Sequence, residues 1–210
     1  MQSTPWSLPE PGLYQRAFNL RVRELQFSML TFRIFEEHDI TRELDEKIRE
    51  GLCRCFPKDA QYFSKHRGWK GSFPSWTAVG FDKAGQPAAH AGIIERDIQI
   101  DRHPVKALGI QNVYVLPEYR GRSLTSLLME CIIDEGMRRG IEIGLLFCRL
   151  HIEKVYTGTG WRKAEVQKII AEGLKGESAE RKLLHDALYW HPLLSETEPS
   201  GTVNLMGPDW

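Results

Sequence analysis

The sequence predicts an α+β fold, a central and mostly antiparallel sheet flanked by helices. Strand-like runs at Trp76–Phe81, 87–100 and 107–116 follow one another. Only the turn segments DKAGQ (82–86) and His103-Pro104 separate them, and strands joined by short turns pair antiparallel. Beyond them, Leu124, Leu127, Leu128, Cys131 and Ile132 recur at helical spacing and give one apolar stripe from Ser123 to Arg139. The strand–helix–strand unit over 107–148 then demands one parallel pair.

The remaining elements follow in order. Residues 1–27 read as an N-terminal extension, proline-rich at its start, and 28–210 as one domain. Residues 28–35 (SMLTFRIF) suit a strand. Thr41 is placed to cap a helix over 42–56, in which Leu44, Ile48 and Leu52 share a face. A second, short helix fits 58–67. Gly140 stops the long helix, and Ile141–Cys148 is a short apolar strand. A brief helix follows with Ile152, Val155 and Tyr156 on one face, ended by the GTG at 158–160. Strands are expected at Trp161–Ile170 and, finally, at Leu183–Trp190, with a turn at 175–180.

Composition narrows the function. Lys plus Arg and Asp plus Glu both number 28, so the formal net charge is zero, which disfavours a nucleic acid as main partner. No apolar run is long enough for a membrane span, and the N-terminus lacks a signal-peptide pattern. The four cysteines Cys53, Cys55, Cys131 and Cys148 show no metal-ligand or CxxC spacing. Cys131 and Cys148 read as small core residues. These features suit a cytoplasmic, metal-free protein. After Lys182 there is no Lys or Arg, only Asp186, Glu196, Glu198, Asp209 and the terminal carboxylate. Val203, Leu205, Met206 and Trp210 in the same stretch argue that this acidic tail docks.

The chemistry concentrates in VYVLPEYRGRSLTSLL (113–128). A strand ends, Pro117 breaks it, and a short basic turn opens the long helix. A helix N-terminus presents unpaired backbone N–H groups and a favourable dipole to an anion, and Arg120 and Arg122 add charge. A pyrophosphate suits such a place; a strand–loop–helix with incidental arginines would look the same.

This segment resembles the acyl-CoA-binding segment of the GNAT acyltransferase superfamily, Arg/Gln-x-x-Gly-x-Gly/Ala. Arg120 and Gly121 fit that pattern, while Ser123 and Thr125 stand where small residues are usual. VYTGTGW (155–161) resembles the family's Tyr-x-x-x-Gly-Phe/Trp segment at the right separation. Within the superfamily, RGRSLTSLL, the strands of 87–115 and the ending GTVNLMGPDW resemble aminoglycoside two-prime N-acetyltransferases. More distantly, the layout is similar to nodulation A acyltransferases. The resemblance covers residues 75–165 and the last ten.

It implies an acetyl-CoA-dependent transfer to a primary amine of an amino sugar or aminoglycoside-like molecule. A longer-chain acyl donor, or a non-catalytic acyl-CoA-binding module, are the alternatives; a homodimer is possible. The cofactor would lie along Val113, Tyr114 and Val115 and on Arg120, Gly121, Arg122, Ser123, Leu124 and Thr125, with Ser123 able to cap the helix. Tyr156 is the expected acid for the leaving sulfur, since a tyrosine is protonated at neutral pH. Gln111 stands where the two-prime enzymes carry an acid, and it cannot accept a proton. The resemblance implies the carboxylate of Trp210 as base, because the two-prime enzymes place their final Trp carboxylate at the amine, with Asp209 adjacent. Water, or an amine that arrives partly neutral, is the alternative, and His90 and His151 are weaker candidates. Gln111, Asn112, Asp209 and Trp210 form the expected acceptor side. Trp69, Trp76, Trp161, Trp190 and Trp210 are potential stacking platforms for sugar rings.

Overall fold

A computed structural model of the chain describes residues 30–69, 71–173, 176–183 and 186–210. The extension 1–27 and the start of the first expected strand lie outside the described residues. Strand β1 is Thr31–Glu36. Helix α1, Arg42–Cys55, starts where expected, and the Thr41 hydroxyl accepts the Leu44 N–H at 3.2 Å. The second helix is shorter than expected: a 3-10 turn at Pro57–Asp59 and α2 at Ala60–Phe63. Strands β2 (Trp76–Phe81), β3 (Pro87–Ile100) and β4 (His103–Val115) form an antiparallel meander. The β3–β4 turn sits at Asp101 and Arg102, both at positive φ, so β4 begins earlier than expected.

Helix α3, Leu124–Arg138, packs its apolar stripe on this meander, with Leu128, Met129 and Ile132 fully buried. β5 (Ile143–Arg149) returns parallel to β4. In α4 (Glu153–Thr157) only Tyr156 is buried. Ile152 and Val155 stay exposed, because one turn and a half touches the sheet through a single side chain.

The expected strand 161–170 is broken. β6 (Arg162–Lys163) pairs with β9 (Asp186–Pro192), whereas β7 (Val166–Glu172) pairs with β8 (Ser178–Glu180) and with β10 (Gly201–Asn204). Along the sheet the order is β6-β9-β5-β4-β3-β10-β7-β8, with β1 and β2 also added beside β3. β6 and β7 are separated only by Ala164 and Glu165, yet lie near opposite ends of that order. The sheet must therefore curl until its edges approach, and the curl encloses Ile98, Val105, Ile143, Leu145, Trp190, Val203 and Leu205. The last strand is not 183–190 but β10, which runs between β3 and β7 inside the sheet. A smaller core (Ile48, Leu52, Phe63, Val79, Tyr114) joins α1 and α2 to the sheet.

Candidate active site at the fork between β4 and β5

The parallel register of β4 and β5 ends at Ile110↔Leu146. β5 continues with β9 as far as Arg149↔Asp186, and β4 continues with β3 as far as Val115↔Ala89. The two strands thus part, and among the described residues no strand pairs with the β5-facing edge of Gln111–Val115. The cause is a β-bulge: Asn112 and Val113 together oppose Ala91, and Asn112 adopts φ 52. Asparagine tolerates this left-handed backbone. Its amide donates to the Arg67 carbonyl (2.9 Å) and its own carbonyl accepts from His90 Nδ1 (3.0 Å). Arg67 is itself held by Glu37, Asp45 and Thr77. A strand edge without a neighbouring strand is a template for an extended chain such as a pantetheine arm.

The basic turn lies at the mouth of the fork. Its floor is pinned on both sides: Glu118 accepts two hydrogen bonds from Arg54 (3.0 Å each), and the Tyr119 hydroxyl donates to Asp82 (2.8 Å). Arg120 turns back, its Nε donating to the Val115 carbonyl at 2.9 Å; Arg122 is exposed. Gly121 has φ 73 and open space where a Cβ would stand. Ser123 occupies the N-cap position but does not cap. It has φ 55, and its hydroxyl makes no hydrogen bond to the first turn of α3. In this left-handed backbone the side chain does not reach the N–H groups that an extended N-cap residue serves. Leu124 is buried and anchors the helix, while Thr125 is partly exposed beside it.

The two faces of β5 divide the remaining groups. Cys148 faces the α3 side, where it shares a core with Tyr156 and Tyr189. Burial pushes the Tyr156 phenol up, with the nearby Cys148 thiol adding a little, so it stays protonated. Burial likewise raises the Cys148 thiol to about 11, which leaves it inert at neutral pH. Phe147, the first residue past the last β4–β5 pair, faces the other way. The Trp210 ring lies 6.0 Å from it, and the Arg181 guanidinium 3.8 Å above its ring centre. Trp210 and Tyr156 thus flank one point of β5 from opposite sides.

The C-terminal segment docks. Trp210 lies on Gly109 of β4, where any Cβ would overlap the indole. Arg96 Nη1 donates to the carbonyls of Leu205 (3.0 Å) and Pro208 (2.9 Å) and stacks over the Trp210 ring at 5.5 Å. The Glu172 N–H donates to the Gly207 carbonyl (2.8 Å), and the Leu205 N–H to that of Ile170 (2.8 Å). A buried indole removes 150–250 Å² from water, worth about 4–6 kcal/mol before the entropy of ordering the tail is subtracted. Met206 does not join: it is 45% exposed. Nor is the tail an isolated acidic strip, because Asp209 accepts from Arg181 Nε at 2.7 Å and Asp186 from Arg181 Nη2 at 2.7 Å.

Residues 38–164 match the Acetyltransferase (GNAT) domain, which spans more than half of the chain. The chain belongs to the GNAT acetyltransferase family. Solved structures with the same fold include the GNAT family N-acetyltransferase YhbS from Escherichia coli in complex with CoA, at TM-score 0.54 and 16% identity over 84% of this chain and 89% of that one. Escherichia coli ElaA gives TM-score 0.56 and 12% identity over 78% and 99%. An acyl-CoA N-acyltransferase from Pseudomonas aeruginosa gives 0.54 and 14% over 77% and 99%. At these identities the likeness shows the fold.

In this GNAT chain several expected site residues have other work. The Gln111 amide is buried and bonded to the 69–72 loop, and Asn112 forms the bulge. His90 is buried and neutral, its pKa depressed to about 3 chiefly by burial; it serves the bulge and is not a base. Trp76, Trp161 and Trp190 are core residues, and Trp69 packs on Tyr62 and Phe63. Sequence reasoning missed Ser72, Arg96, Phe147 and Arg181. An isolated Arg or Ser carries no periodic signal, so nothing in the linear pattern marks them. Among the described residues no helix is long and apolar enough to cross a membrane.

Proposed function

We propose that this GNAT acetyltransferase moves the acetyl group of acetyl-CoA directly to a primary amine of an amino-sugar or aminoglycoside-like molecule. The observation that carries the reading is the fork, which has an open basic loop on one face and the docked C-terminus on the other. The residues present fit acetyl-CoA. The edge at Val113, Tyr114 and Val115 suits an extended arm, with the Val115 carbonyl already taken by Arg120 Nε, and the loop Arg120–Thr125 offers backbone donors to a pyrophosphate. When bound, that molecule supplies the acyl thioester.

The chain's own groups then handle protons. The new bond joins the amine nitrogen to the carbonyl carbon as the carbon–sulfur bond breaks. Tyr156 gives its hydroxyl proton to the departing sulfur and regains one, through solvent, from the second N–H proton that the nitrogen sheds once the new bond has formed. An ammonium has no lone pair, so the acceptor must lose a proton first. Asp209 is already paired with Arg181, so we give that proton and the acceptor's positive charge to the Trp210 carboxylate, with water as the alternative base. Asp209 supports it from beside the site.

The test measures free-thiol release from acetyl-CoA with a panel of amino sugars and simpler amines. The wild-type chain is compared with one extended by a short Gly-Ser segment after Trp210. The extension is expected to lower kcat/KM for the amine by at least about tenfold, roughly 1.4 kcal/mol, with acetyl-CoA affinity unchanged. Equal activity would remove the C-terminus from the acceptor site.

A further inference from the structure

Gln111 fails as a base, but its amide does something a carboxylate could not. Its Oε1 accepts the Trp69 N–H at 2.7 Å and a proton of the Asn112 amide at 3.1 Å, while its Nε2 donates to the Ser72 carbonyl at 3.0 Å. One side chain of β4 therefore holds both Trp69 and Ser72, which also bond each other, the Ser72 N–H donating to the Trp69 carbonyl at 2.6 Å. An ionised acid here would repel the Ser72 carbonyl. The amide needs both its acceptor and its donor.

The clamp continues into the tail. Ser72 is 2% exposed, and its hydroxyl reaches the carbonyls of Asp209 (2.7 Å) and Pro208 (3.1 Å). It is the link from the 69–72 turn to the last residues of the chain. On the far side the same tail rests on Gly109, which lies two residues before Gln111 on β4. The loop, the tail and the strand form a closed ring of contacts, with the terminal residue inside it.

We propose that Ser72, placed by Gln111, is a positioning residue for the acceptor: its hydroxyl fixes where the terminal residue lies over β4 beside the fork. This rests on the reading of the C-terminus as the acceptor's wall. Ser72 acts through the tail, by its bonds to the Pro208 and Asp209 carbonyls.

Four proteins test it: wild type, Ser72→Ala, the Gly-Ser extension, and the two combined. One readout is release of Trp210 by carboxypeptidase. The others are KM for glucosamine as amine probe and KM for acetyl-CoA. Ser72→Ala should speed Trp210 release and raise the amine KM by about two- to tenfold, the range for one lost hydrogen bond, while KM for acetyl-CoA stays put. In the extended background it should change the amine KM no further, because both changes act through the same displaced terminus. Gln111→Leu should reproduce the faster release. Ser72→Cys, with its weaker donor, replaces the alanine variant if that one melts early.

Unchanged Trp210 release in Ser72→Ala overturns the proposal, as does an amine effect that adds to that of the extension. The release assay needs no acceptor, so it decides whether Ser72 holds the tail even if glucosamine is not turned over. If the extension alone leaves amine kinetics untouched while Ser72→Ala speeds release, the failure belongs to the acceptor reading and not to the clamp.

Discussion

Two helices of this chain start with a hydroxyl residue, and they use it in opposite ways. At α1, Thr41 has extended backbone, caps the Leu44 N–H, and is followed by Glu43 and Asp45 in the first turn. The positive end of that helix is satisfied from within. At α3, Ser123 is left-handed, caps nothing, and no acidic residue lies in the first turn. A non-glycine residue in this backbone costs on the order of 1–2 kcal/mol. One end serves folding. The other leaves its donors and dipole uncompensated, the condition for holding an anion.

The largest expected effect sharpens what the open end is for. If α3 presents the pyrophosphate, the sulfur lies deeper in the fork, where Tyr156 can reach it. Tyr156→Phe keeps the ring and removes the proton. It should lower kcat by about ten- to a thousandfold with acetyl-CoA affinity nearly constant. Because burial raises the Tyr156 phenol, wild-type kcat should show no loss from its deprotonation as pH rises to about 10, its ordinary value. Wild-type kcat in the variant, where chemistry limits turnover, would end the role.

A smaller effect is expected at the loop itself. The double variant Arg120→Ala/Arg122→Ala should weaken acetyl-CoA binding by roughly 1–3 kcal/mol, measured calorimetrically. Unchanged affinity would break the contrast between the two helix starts by showing that the open end holds nothing.

The smallest effect probes the comparison directly. Thr41→Ala should cost about 1 kcal/mol of stability in denaturant unfolding and leave acetyl-CoA affinity alone. Ser123→Gly should do the reverse of damage: the strain disappears, stability holds or rises by about 1 kcal/mol, and the backbone donors still bind. A loss of affinity in Ser123→Gly would mean that the hydroxyl itself contacts the ligand.

The sequence by itself determined the family and the central part of the fold. The strand runs at 76–81 and 87–100, the apolar stripe of α3 and the Thr41 cap are local patterns, and local backbone preference and burial suffice to set them. The loop 120–125 and Tyr156 stand out for the same reason, as short motifs at fixed spacing, and their roles are for the variants above to test. The curl of the sheet was not. That 161–170 breaks at Ala164 and crosses to the opposite edge depends on where β9 and β10 lie, which no local period records. The role of Gln111 was also hidden, because an amide's value depends on which donors and acceptors the fold brings to it. The tail shows the division most clearly. Val203, Leu205 and Trp210 announced that it docks, since apolar residues at a chain end must find cover. Only the tertiary structure decided that β10 runs inside the sheet, that Arg181 takes Asp209, and that Ser72 and Gly109 hold Trp210 beside the fork. Burial is written in composition, but partners far apart in the chain are chosen by geometry.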